Sequence, residues 1–329
     1  MKYKCIFAIL LLCFLLPCCK EEWMPIGKAK LLAASMEKRL AAQYQKPSCK
    51  DCYKNLVYAA AKMCEAEISE FDGKDDEILF ARYKNQIGMV SDISSAQTVA
   101  PPKPGGPMAN TMMRIGAGCL GRLGKLRSRL ADSLTKQGKL GEACEIVEQD
   151  LKLVAVMSSS RDFWALRAAE FLRKEAVLAV IRISTFNPPE NCTAKLNAAL
   201  DAARLTEAQV AEAVLGEIAW ENKQLTAYLE EQPDKREEIE KQKLWHLAFW
   251  ELVFIDYEKG KSLAEAVDFY SRGLPKYVSE SNRESIPRLV VASRFSPTFI
   301  RDIQENANSQ IDAAKIKLNG KNPERRTTE

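Results

Sequence analysis

Apolar residues recur along this chain at three- and four-residue spacing, the pattern of helices that each bury one stripe. Leu31, Leu32, Met36, Leu40 and Tyr44 mark such a stripe within Gly27–Gln45. Leu56, Ala60, Met63 and Ile68 mark a second within Cys49–Phe71. The run Phe71-Asp72-Gly73-Lys74-Asp75-Asp76 reads as a turn, and a third helix is expected over Glu77–Val90. No stretch alternates persuasively between apolar and polar positions, as a half-buried strand would. Helix starts are well signalled further on. Thr206 with Gln209, Asp234 with Glu237 and Ser262 with Glu265 have capping-box spacing. Ser296-Pro297 reads as an N-cap followed by proline at the first helical position, and Gly320 as the stop of that helix. The expected fold is all-α, made of stacked antiparallel helix hairpins.

One region breaks the rhythm. Pro101, Pro102, Pro104, Gly105, Gly106 and Pro107 cannot continue a helix. The expected organisation is therefore an N-terminal helical segment over 19–90, a Pro/Gly-rich loop or linker over 91–108, a helical-hairpin domain over 109–319 and a polar, disordered tail over 320–329.

Two segments of the long helical region share a further pattern. The first runs from Leu130 through Ala131, Gly138, Leu140 and Ala143 to Val147 and Leu151. The second runs from Trp250 through Phe254, Tyr257, Gly260, Leu263, Ala266 and Tyr270 to Leu274. Both resemble tetratricopeptide repeats, in which a small residue lets two helices approach and large residues fill the space beside it. The resemblance implies stacked hairpins that bury a shared core and offer a groove to a peptide or protein. Asp150 stands where such a unit usually carries alanine, Pro275 comes early, and no 34-residue period joins the two segments. An irregular α-helical fold with two ordinary hairpins is the competing reading.

The N-terminus has a different character. Lys2 and Lys4 precede an unbroken apolar run of 12 residues, Cys5–Leu16. That is shorter than the roughly 17–25 residues of a membrane span and within the range of a secretory signal, so residues 1–18 are read as a signal peptide. The run ends Leu15-Leu16-Pro17-Cys18-Cys19, which resembles a bacterial lipoprotein signal. The resemblance implies lipid attachment at Cys19, with Leu16 three residues before it; attachment at Cys18, conventional cleavage and an uncleaved anchor are the alternatives. It also implies a bacterial envelope location, and Lys20 in place of aspartate points to the outer membrane.

Processing alters the composition. The chain has 329 residues, 47% of them apolar and 28% charged, with a formal charge of +4 and a single histidine. Loss of Lys2 and Lys4 lowers the charge to +2, so no basic stripe for nucleic acid is expected. Ten cysteines become six: Cys49, Cys52, Cys64, Cys119, Cys144 and Cys192. Six thiols in an exported protein permit disulfides in 15 connectivities, and the sequence does not choose among them. Cys49 and Cys52 form a local C-x-x-C after Ser48, a candidate disulfide and, as a competing reading, a thiol–disulfide exchange pair at a helix N-terminus. No metal site is expected there, since no second pair of ligands has zinc spacing.

Two further motifs invite sharper readings. Gly116-Ala117-Gly118-Cys119-Leu120-Gly121 has G-x-G-x-x-G spacing but lacks the strand a dinucleotide site needs, and Gly118, Gly121 and Gly124 suit close helix packing. Leu244–Tyr257 is apolar nearly all round, which suits a central buried helix. Trp245, Trp250 and Tyr257 are nonetheless the candidate ligand or partner surface. The function expected from these features is a lipid-anchored envelope scaffold or adaptor, attached to the membrane by its N-terminal lipid, binding a protein or peptide, with no cofactor and no catalytic constellation. The alternatives are an exported thiol–disulfide protein using Cys49 and Cys52, or a helical binder of a small apolar ligand.

Overall fold

A computed structural model describes residues 24–43, 62–64, 76–94, 107–231, 233–272 and 295–320. Among the described residues the fold is all-α, with no strand. Eleven α-helices are described: α1 (Ile26–Gln43), α2 (Asp76–Arg82), α3 (Lys84–Ser94), α4 (Pro107–Lys136), α5 (Leu140–Ser158), α6 (Phe163–Ser184), α7 (Glu190–Ala202), α8 (Glu207–Glu231), α9 (Arg236–Glu258), α10 (Leu263–Ser271) and α11 (Pro297–Asn319).

The start of the chain shows how residue size chooses the buried face. α1 buries Ala29, Ala33, Met36 and Leu40, while Leu31 is 76% exposed. The stripe expected through Leu31 is therefore displaced. Small alanines let α1 lie close against α9, and Leu31 falls on the opposite side of the helical wheel. The helix expected over Glu77–Val90 is interrupted at Tyr83, which divides α2 from α3. Backbone hydrogen bonds still pass across the break, from Tyr83 N to Leu79 O (3.0 Å) and from Ile87 N to Tyr83 O (3.0 Å).

Both repeat-like segments form helix hairpins, α4–α5 and α9–α10, and close them with the same turn chemistry. At the first, Lys139 N reaches Leu134 O (2.9 Å) and Gly138 N reaches Thr135 O (3.0 Å). At the second, Lys261 N reaches Asp256 O (3.1 Å) and Gly260 N reaches Tyr257 O (2.9 Å). This nested pair satisfies two terminal carbonyls and requires a left-handed residue. Gly138 and Gly260 supply it at φ 76° and 97°.

The capping boxes at Thr206–Gln209 and Ser262–Glu265 form, and the Ser296 side chain accepts from Phe299 N. The cap expected at Asp234 does not. Pro233–Lys235 is a 3₁₀ turn, and α9 begins at Arg236 with no side-chain cap. The fixed φ of Pro233 starts the tight turn and moves the helix start beyond Asp234.

Two large apolar cores and one small cluster, formed by Met24, Ala29, Trp245 and Ala248, result. The first holds Leu79 and Val90 from α2 and α3 with α4, α5, α6 and α7, and the end of α11 through Ile311, Ala314 and Leu318. The second holds Met36 and Leu40 of α1 with α8, α9 and α10, Phe163 and Leu166 at the start of α6, and Ile300, Ile303 and Ala307 of α11. α6 and α11 cross from one core to the other. The described buried residues of the 19–90 segment are thus divided among both cores and the small cluster around Trp245. The ends of the loop expected over 91–108 are helical, since α3 runs to Ser94 and α4 starts at Pro107.

Glycines set the closest helix approaches. The G-x-G-x-x-G run lies inside α4, where a Cβ on Gly121 would stand 3.4 Å from Phe171 Cβ and one on Gly124 would stand 3.0 Å from Leu172 Cδ2 of α6. Gly216 on α8 lies tighter still. A Cβ there would fall on the carbonyl oxygen of Arg161, 2.6 Å from its carbon.

Candidate functional site

Cys19, Cys49 and Cys52 lie outside the described residues. Cys64 pairs with Cys119, with a Cα–Cα distance of 5.3 Å, and Cys144 with Cys192, at 5.9 Å. The first ties residues 62–64 to α4; the second ties α5 to α7. Cys119, Cys144 and Cys192 are buried, so both bridges reinforce the first core.

The aromatic residues of α9 are core. Trp245 is buried against Met24, Ala29 and Ala248, beneath the first turn of α1. Trp250 is fully buried and meets Phe249 edge-on at 5.1 Å and Phe295 at 6.0 Å. Tyr257 is half-buried at the edge of the second core. The candidate surface formed by Trp245 and Trp250 is therefore absent from the folded exterior. Helices α1, α8 and α10 cover α9 from several sides, and an all-round apolar helix loses its exposed face.

Charged residues enter the interior only with partners. Arg127 of α4 and Asp150 of α5 form a buried ion pair. The same guanidinium donates to Ile87 O (2.6 Å), Ile146 O (3.2 Å) and Gln149 Oε1 (3.0 Å), joining α3, α4 and α5. Burial pushes the Asp150 carboxyl up, against the pull of Arg127 in the other direction. Arg173 donates to Ser158 Oγ (2.9 Å) and Ala203 O (3.2 Å), and burial lowers its pKa to about 10. At the α1–α9 contact, Ser35 Oγ donates to Glu251 Oε1 (2.6 Å). Arg39 reaches Glu251 Oε2 (3.2 Å) and Glu258, and its hydrogen bond to Glu258 holds the guanidinium above its ordinary range and that carboxyl below it.

His246 is buried, and burial depresses its pKa to about 3. Glu221 Oε2 stands 3.7 Å from its Nε2, outside hydrogen-bond distance, so desolvation prevails over the neighbouring carboxylate. At the α9–α10 turn, Asp256 accepts from Lys261 Nζ (2.7 Å) and the Tyr270 hydroxyl (3.0 Å). Burial and that carboxylate push Tyr270 up to about 12. Asp256, Lys261 and Tyr270 thus join α9 to α10. Among the described residues no three His, Cys, Asp or Glu side chains gather as a metal site, and no described helix is long and apolar enough to cross a membrane.

The exterior carries features the sequence pattern concealed. Phe171 and Leu178 of α6 are 44% and 41% exposed, seven residues apart and so on one face. Arg167 stacks over the Phe171 ring at 5.9 Å. The helical period could not single them out, because α6 is apolar around most of its circumference and Phe171 competes with Leu172 for the same core. Asp150 did carry a signal: a carboxylate at a repeat position that usually holds alanine marked the buried pair. No family model, curated protein or solved structure matches the chain.

Proposed function

We propose that the protein is a lipid-anchored scaffold or adaptor of the bacterial envelope, held by a lipid on Cys19 and binding a protein or peptide partner on its helical body. The observation that carries the reading is the exposed apolar pair Phe171 and Leu178 on α6, a helix already committed to both cores. An exposed aromatic side chain on a rigid helix, with an apolar neighbour on the same face, can anchor a protein interface. Two internal disulfides support an oxidising compartment, and the signal-like N-terminus supplies the route to it.

Photo-crosslinking from position 171 or 178 in intact envelopes tests the reading. A discrete crosslinked partner is expected, lost from position 171 in a Leu178→Glu chain and from position 178 in a Phe171→Glu chain, both keeping their helical content. No discrete adduct from either position, or the same adduct from each despite glutamate at the other, would remove α6 as the docking face.

A further inference from the structure

We infer that the outward side of α1 lies against an anionic lipid surface, with Leu31 entering the headgroup layer and Lys28, Lys30 and Lys38 meeting phosphate. The inference rests on the proposed anchor at Cys19 and assigns the orientation that anchor imposes.

α1 is fixed to the body on one side only. Ala29, Ala33, Met36 and Leu40 are buried, and Ser35 and Arg39 hold Glu251. Leu31 stands opposite that stripe on the helical wheel and, at 76%, is the most exposed large apolar side chain among the described residues. Lys28 and Lys30 flank it on either side, and Lys38 lies seven residues along the same line; all three are exposed. Ile26, 49% exposed, adds apolar surface at the first turn. The one carboxylate of α1, Glu37, is held by Lys243 of α9 at 3.2 Å, and Arg39 by Glu251 and Glu258. The outward face therefore presents Leu31 among three lysines, with Lys38 on its own line and Lys28 and Lys30 to either side.

That combination fits a membrane interface. Apolar side chains settle at the headgroup–acyl boundary, while lysine stems extend toward anionic phosphate. The covalent connection favours this occupant over a soluble partner. Met24 is buried beside Trp245 and only five peptide steps follow Cys19 before it, at most about 18 Å of chain. An acylated Cys19 thus keeps the first turn of α1 next to the bilayer. The lipid on Cys19 supplies the attachment, and a basic, partly apolar face sets which side of the body meets the bilayer.

The test uses the full acylated chain in phosphatidylcholine vesicles with and without phosphatidylglycerol, and reads acetylation of individual lysines by mass spectrometry. Lys28 and Lys30 are expected to react several-fold more slowly, relative to Lys139 on the α4–α5 turn, when phosphatidylglycerol is present. Leu31→Glu should restore their reactivity while leaving the N-terminal acyl mass unchanged. An intact acyl mass with equal lysine reactivity in both vesicle types overturns the docking and leaves the anchor standing. A missing acyl mass with Lys28 and Lys30 still shielded on anionic vesicles overturns the anchor and keeps the docking. Shielding that follows protein density in the membrane and ignores phosphatidylglycerol means a second copy covers this face, and also overturns the docking.

Discussion

Gly216 offers a test in which an ordinary helix rule should reverse its sign. Glycine inside a helix is less favourable than alanine by about 1 kcal/mol, so replacing it usually stabilises. At Gly216 the new methyl would occupy the place of the Arg161 carbonyl, 2.6 Å from its carbon and 3.4 Å from Asp162 N. The obstacle is backbone, and that backbone is held on both sides. Ser160 is buried with its hydroxyl on Met157 O at 2.6 Å, Asp162 caps α6 by accepting from Trp164 N at 2.7 Å, and Gln209 of α8 donates to Ser159 Oγ at 3.0 Å. Relief therefore requires α8 to move off the α5–α6 connection. Overpacking of this kind costs roughly 3 kcal/mol at its upper end, and strain on the Asp162 cap adds about 1 kcal/mol. After the propensity gain, Gly216→Ala should destabilise by about 3 kcal/mol. Gly88 on α3 has nothing within 4 Å of a built Cβ, so Gly88→Ala should stabilise by about 0.5–1 kcal/mol. Urea unfolding followed by far-ultraviolet circular dichroism measures both. A Gly216→Ala chain as stable as its parent would refute the close approach of α8 to Arg161.

Other consequences are equally direct. His246 is the chain's one histidine, and its depressed pKa of about 3 means that the unfolded chain takes up its proton first as pH falls below about 6.5. Its contribution is present above that value and lost toward the folded pKa, amounting to about 2 kcal/mol between pH 7 and pH 5; urea midpoints across that interval should flatten in His246→Gln. Breaking the Cys144–Cys192 bridge, which spans 48 residues, should cost up to about 4 kcal/mol of stability on chain-entropy grounds, and non-reducing peptide mapping should recover it together with Cys64–Cys119. Asp150→Ala leaves the Arg127 guanidinium buried without its counter-charge and should destabilise by about 3–5 kcal/mol, whereas replacing Arg127 by methionine and Asp150 by leucine together should recover most of that loss in guanidinium titrations. Ser262→Ala removes the capping-box acceptor for Glu265 N and should lower stability by about 1 kcal/mol, measured the same way.

Features with local causes were readable from the residues. Helix type, the two glycine-closed hairpins and three of the four expected starts depend on neighbours within a few positions, and they stand where the spacing placed them. What needed the folded chain was the choice among equivalent surfaces. Leu31 and Ala33 both fit a periodic stripe on α1, and only the close seat on α9 selects the alanines. The all-round apolar run of α9 pointed to a buried helix, and its two aromatic faces left a ligand surface at Trp245 and Trp250 open; tertiary contacts cover both. The break at Tyr83 and the 3₁₀ turn at Pro233 are small departures from regular geometry that a spacing argument cannot resolve. The cysteine pairs were open for the same reason, since connectivity depends on which helices meet.

Because α6 and α11 each belong to two cores, neither core can come apart while the other keeps its full set of walls. Loss of α11 removes Ile300 and Ile303 from one and Ile311 and Leu318 from the other in a single event. The chain should then melt as one cooperative unit, with heat absorption and loss of helical signal sharing a midpoint. A protease cut anywhere between α3 and α4 would likewise release nothing under oxidising conditions, because Cys64–Cys119 fastens the two pieces across the gap.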